Sequence, residues 1–299
     1  MSDVKQISEL FENNYNTLTQ EFPSFAKSKQ AYVAAAHFTS KELAIDPERL
    51  GNTCFLLKDL CAPFPALNGN GLLISASLLS TQERDIESRL ADLSEICRKL
   101  NGQRESAGIT PSAVFLVEEN ANPLEWSSIY SAIRTIKHLA STSFPELPAP
   151  DPTPCTALVL SGSDPEDLFT EIGELRNELR KNYGEKEDHT YSACMLSLCN
   201  GSVEEKTKAL INYTTDLSKE IKLSAPFFLP VYISLLCSSK TEDSAAQIAN
   251  LTLEMKKKKG FGIFSLSASK RLALCALASQ KHSTYTQELL ALDHLCKNL

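Results

Sequence analysis

Cysteine and histidine are the residues of this chain with the most chemical potential, and their spacing argues against their using it. The 299 residues include nine cysteines, at positions 54, 61, 97, 155, 194, 199, 237, 275 and 296, with no C-x-x-C pair among them. Cys194 and Cys199 are five apart, on different sides of a helix, which does not suit a zinc site built from ligands two to four residues apart. They read as reduced, buried thiols that pack as small hydrophobes. The five histidines, His37, His138, His189, His282 and His294, include no pair at the i, i+4 spacing that would put two ligands on one helix face. Asp188-His189 and Asp293-His294 are acid–base doublets in sequence, but neighbours on a helix point in different directions, and Asp188 reads as a helix N-cap. His189 beside Cys194 at a helix start has the makings of an imidazole–thiolate pair, because a helix N-terminus lowers a thiol pKa. A buried structural cysteine is the simpler reading.

Longer motifs are no more productive. Gly260-Phe-Gly262-Ile-Phe-Ser265 is close to a dinucleotide fingerprint, yet that motif needs a preceding strand, and here a lysine-rich helix precedes it. Four lysines, Lys256 to Lys259, read as a helix end whose charge complements the dipole. There is no P-loop, G-x-S-x-G elbow, H-E-x-x-H or EF-hand loop. Trp126 reads as a packing residue, and Phe227, Phe228 and Tyr232 as pocket-lining residues if their helix faces a groove. No catalytic, cofactor-binding or metal-ligating residue is assigned, and no cofactor is expected.

The elements that would have to position such residues form a repeat. A capping box, in which a side-chain oxygen and an acid or amide three residues later satisfy the first-turn N–H groups, occurs at Ser80/Glu83, Asn122/Glu125, Asp164/Asp167, Ser202/Glu205, Ser239/Glu242 and Thr284/Gln287. These starts recur at roughly 40 residues, the period of helical-hairpin repeats. Behind them run amphipathic stripes such as Leu168, Ile172, Leu175, Leu179 and Tyr183. Gly102, Gly184 and Gly260 follow basic residues and close three of the helices. A shorter apolar element precedes each cap. Leu72 to Leu79, Ala113 to Val117 and Thr156 to Leu160 read as strand or helix, and the equivalence of repeat positions favours helix throughout. Towards the N-terminus, residues 5 to 18, 29 to 38 and 46 to 60 read as further helices, the last capped by Asp46.

Composition agrees. Eleven glycines are about half of the roughly 21 expected at average usage, which favours helices over structures rich in tight turns. The formal charge of −7 repels polyanions, so neither nucleic acid nor an anionic membrane surface is an expected partner. The longest apolar run, Ala225 to Cys237, is too short for a membrane span and contains two prolines. The opening Met1-Ser-Asp-Val-Lys-Gln lacks the apolar core of a signal peptide, so cytoplasmic residence is expected and the sequons at Asn200, Asn212 and Asn250 carry no glycosylation meaning.

Leu10 to Tyr15, Ala34 to Thr39, Asp46 to Leu50, Leu57 to Asp59 and Asn68 to Ser80 together resemble an uncharacterised bacterial family, the domain of unknown function numbered 4003. The resemblance implies an all-helical fold over nearly the whole chain, with alternating short apolar and long polar helices, in the bacterial cytoplasm. It implies no activity.

The resulting expectation is a single all-α domain over residues 1–299, an α-solenoid-like array of about seven helical hairpins, with a possible break at the proline-rich segment 144–154. The alternative is a closed α/α toroid. An open array predicts a non-enzymatic binding or scaffold protein with a protein or peptide partner; a toroid predicts an enzyme acting on a small molecule in a central cavity. Inner-helix starts occupied by Ser, Thr, Pro and Ala favour the binding protein. A homo-oligomer through an uncapped terminal hairpin is a further possibility.

Overall fold

A computed structural model describes residues 2–26, 28–61, 70–81, 152–185, 189–221, 228–238, 242–262, 265–280 and 285–298, with a few isolated positions between 86 and 142. The described residues are helical and loop, with no strand. The helices are α1 (Ser2–Glu21), α2 (Lys29–Ser40), α3 (Pro47–Cys61), α4 (Asn70–Ser80), α5 (Pro152–Leu160), α6 (Pro165–Tyr183), α7 (Thr190–Ser197), α8 (Val203–Glu220), α9 (Leu229–Ser238), α10 (Glu242–Lys257), α11 (Ala268–Ala278) and α12 (Tyr285–Asn298).

The strand-or-helix ambiguity resolves to helix at α4 and α5. Residues 113–117 lie outside the described residues. Pro152 and Pro154 sit in the first turn of α5, where proline's missing N–H costs nothing, and residues 144–151 of the proline-rich segment lie outside the described residues. Several predicted caps are in place. Asp46 Oδ1 accepts from the N–H groups of Glu48 and Arg49, and Asp164 Oδ1 from those of Glu166 and Asp167. Ser202 and Glu205 make the full reciprocal box. Gly184 closes α6 at φ 110°, its N–H bonded to the Arg180 carbonyl. Ser80 is different, since it belongs to the last turn of α4 and its hydroxyl donates to Thr53 Oγ1 at 3.1 Å. Ser267, which caps α11 by accepting from Lys270 N–H, was not among the predicted starts.

Two layers follow from the alternation of helix types. The long amphipathic helices neighbour one another, α1 with α3, α6 with α8, and α8 with α10. The short apolar helices do likewise, α2 with α4, α5 with α7, α7 with α9, and α9 with α11. Leu272 to Ala278 of α11 and Val33 to Phe38 of α2 are buried on every side, as expected of helices lying beneath others. Burial of each such leucine or phenylalanine supplies about 2 kcal/mol.

The chain's two ends meet. α1 packs on α10, and α2 packs on both α11 and α12. The loop after α10 joins them. Tyr15 stacks on Tyr32 with centroids 4.3 Å apart, and Phe261 meets Phe11, Tyr15 and Tyr32 edge-on at 4.9, 5.0 and 5.4 Å. Tyr32 donates to the Gly260 carbonyl at 2.7 Å, and buried Arg271 donates to the carbonyls of Phe261 and Leu266. The Gly260–Gly262 segment, which resembles a nucleotide motif, is therefore a packing device. α12 lies against α2, α5, α9 and α11 together.

Candidate functional site

Among the described residues, a convergence of polar side chains stands where the C-terminal ends of α2 and α4 meet the first turn of α12. His37, Ser40 and Lys41 are spaced i, i+3, i+4, so the end of α2 presents all three on one side. Glu288 of α12 is their common partner. Its Oε1 accepts from His37 Nδ1 at 2.9 Å and from Ser40 Oγ at 3.1 Å, and its Oε2 accepts from Lys41 Nζ. His37 Nε2 lies 3.1 Å from Thr81 Oγ1, just past α4. His37 and Glu288 are each 1% exposed, whereas Lys41 and Thr81 reach the surface in part.

The electrostatics of this cluster favour fixed charge. Burial works to raise the Glu288 carboxyl, but the hydrogen bond and charge of His37 and then those of Lys41 outweigh it, holding the group down at about 2. The glutamate sits in the first turn of α12, near the positive end of that helix dipole, and His37 in the last turn of α2, near a negative end. Thr81 Oγ1 donates to the Leu78 carbonyl at 3.0 Å, which leaves its lone pairs to accept from His37 Nε2. His37 thus bridges Glu288 through Nδ1 and Thr81 through Nε2.

Hydroxyl, imidazole and carboxylate in a row have the connectivity of a nucleophile, a base and its orienting acid. The surroundings are wrong for that chemistry. A nucleophile's hydroxyl should donate to its base, and here it donates to a carbonyl. Acyl transfer also needs backbone N–H donors beside the hydroxyl, and the Thr81 N–H is already bonded to the Ser77 carbonyl at a helix end that presents carbonyls. The arrangement suits an ionic lock joining three helices.

None of the five residues of this cluster was singled out as a site in the sequence. The i, i+3, i+4 pattern of His37, Ser40 and Lys41 is visible there, but its partner is 251 residues from His37. The residues that were weighed go elsewhere. His189 Nε2 is 2.9 Å from the Gly184 carbonyl, so the ring serves the α6–α7 turn, and Cys194 is buried in α7. Asp293 accepts from Tyr191 at 3.0 Å, while His294 packs against Tyr191 and Phe228. Lys257 pairs with Glu254 on its own helix, and Lys258 with Glu12 of α1 at 2.8 Å. Phe228 and Tyr232 are buried core residues. Trp126, Asp188, Phe227 and His282 lie outside the described residues, and His138 is exposed.

One reading of the sequence is corrected. Cys199 and Cys237 are joined by a disulfide, with Cα atoms 6.1 Å apart, instead of being separate reduced thiols. Linear spacing could not show this, because packing of α7 on α9 brings the two ends together. Cys54, Cys155, Cys194 and Cys275 take no part in that bond and are buried, as expected. Burial pushes the Cys54 thiol up to about 11 and that of Cys275 to about 12.

Among the described residues, no group of three or more His, Cys, Asp or Glu could hold a metal ion. Nor is any helix among them long and apolar enough to cross a membrane. No curated protein and no solved structure matches the chain. A family model does, over residues 14–296, nearly the whole length. The match takes in Tyr15, Tyr32, Phe261 and all five residues of the ionic cluster, and on it the chain belongs to DUF4003, a family of proteins of unknown function.

Proposed function

We propose that this protein is a non-enzymatic binding or scaffold protein that engages a protein or peptide partner through the outer surface of a helical-repeat array. The array is closed into an α/α ring. The packing of α1 on α10 and of α2 on α11 supports closure, and α12 lies against the four inner helices α2, α5, α9 and α11.

The observation carrying this reading is that Glu288, a buried carboxylate, is engaged by His37, Ser40 and Lys41. A carboxylate held ionised by three donors is a poor proton acceptor. The outer surface, by contrast, keeps large apolar side chains in water, Phe55 of α3 at 65% exposed foremost among them. Aromatic side chains with such exposure are the usual anchors of protein interfaces. A cytoplasmic setting in bacteria is part of the proposal and rests on the family resemblance.

The test is proximity cross-linking from Phe55 in the source cell. A photoreactive residue at position 55 should yield a discrete protein adduct, and Phe55→Asp should abolish co-purification of that partner while leaving the circular dichroism and melting temperature unchanged. Turnover of a small molecule by the purified protein, abolished by Glu288→Gln in a folded variant, would overturn the reading.

A further inference from the structure

The disulfide and the ionic cluster meet in the first turn of α12. Cys199 stands just past the end of α7 and Cys237 in the last turn of α9, 38 positions further on, with all of α8 between them. Gln287, the neighbour of Glu288, donates from Nε2 to the Met195 carbonyl of α7 at 3.3 Å and lies 3.8 Å from Cys199 Sγ. Glu288 in turn holds His37, Ser40 and Lys41. A path of three contacts thus links the sulfur bridge to the lock between α2 and α12.

We propose that the Cys199–Cys237 bond is a thiol-reducible staple whose state sets the position of the first turn of α12, and through it the geometry of the Glu288 cluster. Selectivity comes from exposure. Both bonded cysteines are half-buried, whereas Cys54, Cys155, Cys194 and Cys275 are buried, and burial in apolar surroundings makes a sulfur less reactive. The chemistry is ordinary exchange with a dithiol. One thiolate of the reductant attacks a bridge sulfur, the other bridge sulfur leaves as a thiolate and takes a proton, and the reductant's second thiol displaces the mixed disulfide. Two protein thiols are produced and the dithiol is oxidised to a disulfide. Reduction removes a covalent tie across α8 and frees the end of α7, including the Met195 carbonyl and Cys199 sulfur that Gln287 touches. This inference is independent of whether the protein binds a partner.

The experiment uses the full chain, oxidised with glutathione disulfide and then either kept so or treated with dithiothreitol while folded. Alkylation in denaturant, mapped by position, should leave Cys199 and Cys237 unmodified in the oxidised protein and modify both after reduction. The melting temperature should fall by roughly 5 °C on reduction. The NMR signals of the His37 ring should shift between the two states. In Gln287→Ala the bridge should still form and reduce but the His37 shift should vanish, and Cys199→Ser/Cys237→Ser should show no response to dithiothreitol. Modification of Cys199 and Cys237 in the oxidised protein, resistance of the folded protein to dithiothreitol, or a His37 ring indifferent to reduction would each overturn the proposal.

Discussion

Glu288 is buried and ionised, a combination a protein interior tolerates only when counter-charges and donors are in place. His37, Ser40 and Lys41 supply them, so removing the charge leaves the Lys41 ammonium and the His37 and Ser40 donors facing an amide. Glu288→Gln should therefore cost about 3 kcal/mol, seen as a fall of roughly 6 °C in melting temperature for a chain of this size. The pH dependence has a definite sign. The carboxyl is held below its ordinary value of 4.5, at about 2, so the stability it contributes is present above about pH 4.5 and is lost as pH falls towards 2. Urea midpoints of wild type and Glu288→Gln should be well separated at pH 6 and converge between pH 4.5 and 2.5. A gap that stayed constant over that range would show that the glutamate acts through packing instead of charge. This cluster was only partly legible in the sequence. A helical spacing displays His37, Ser40 and Lys41 together, but which acid they meet depends on where α12 lies, and no local rule places it.

At the scale of elements, legibility was much better, and the reason is that helix ends are local problems. Asp46, Asp164 and Ser202 cap helices because each offers an oxygen to N–H groups two or three residues ahead, a geometry contained within one turn. The same applies to Gly184 and Gly260. Ser80 misled because the same residue type that caps a start also finishes a helix by bonding sideways, here to Thr53. Gly260 combines both kinds of constraint. Its φ is 86°, and a Cβ added there would stand 2.9 Å from Tyr15 Cε1, on a ring held by its stack against Tyr32. Gly162 has a similar φ of 69° with open space around it. Gly162→Ala should thus cost only the left-handed backbone penalty, about 1 kcal/mol. Gly260→Ala should cost about 3 kcal/mol, because the Tyr15–Tyr32 stack must also shift. Chemical denaturation of the pair separates the two effects. Equal losses would mean that the aromatic loop yields freely and does not secure α1 to α10.

For the molecule as a whole, the issue is what happens at the ends of a repeat array. In an open solenoid each unit touches only its neighbours, so terminal repeats fray independently and stability is a sum of local terms. Here α1 is not a free end. It carries Phe11 and Tyr15 into the loop after α10, Glu12 pairs with Lys258, and Asp3 accepts from Gln247 at 3.2 Å. Those contacts join residues more than 200 positions apart, beyond the reach of a reading built on a 40-residue period, which can see each unit but not whether the last one returns to the first. A joined array should unfold as one, with amide protons of α1 and α10 exchanging at the same free energy. Phe261→Ala, which empties the space between Phe11, Tyr15 and Tyr32, should cost about 4 kcal/mol. It should also uncouple the two helices, so that α1 amides exchange faster than those of α8 by hydrogen exchange. If α1 already exchanges far faster than α8 in the wild type, the clasp is too weak to hold the array shut, and the protein behaves as an open solenoid whose concave face is available to a partner.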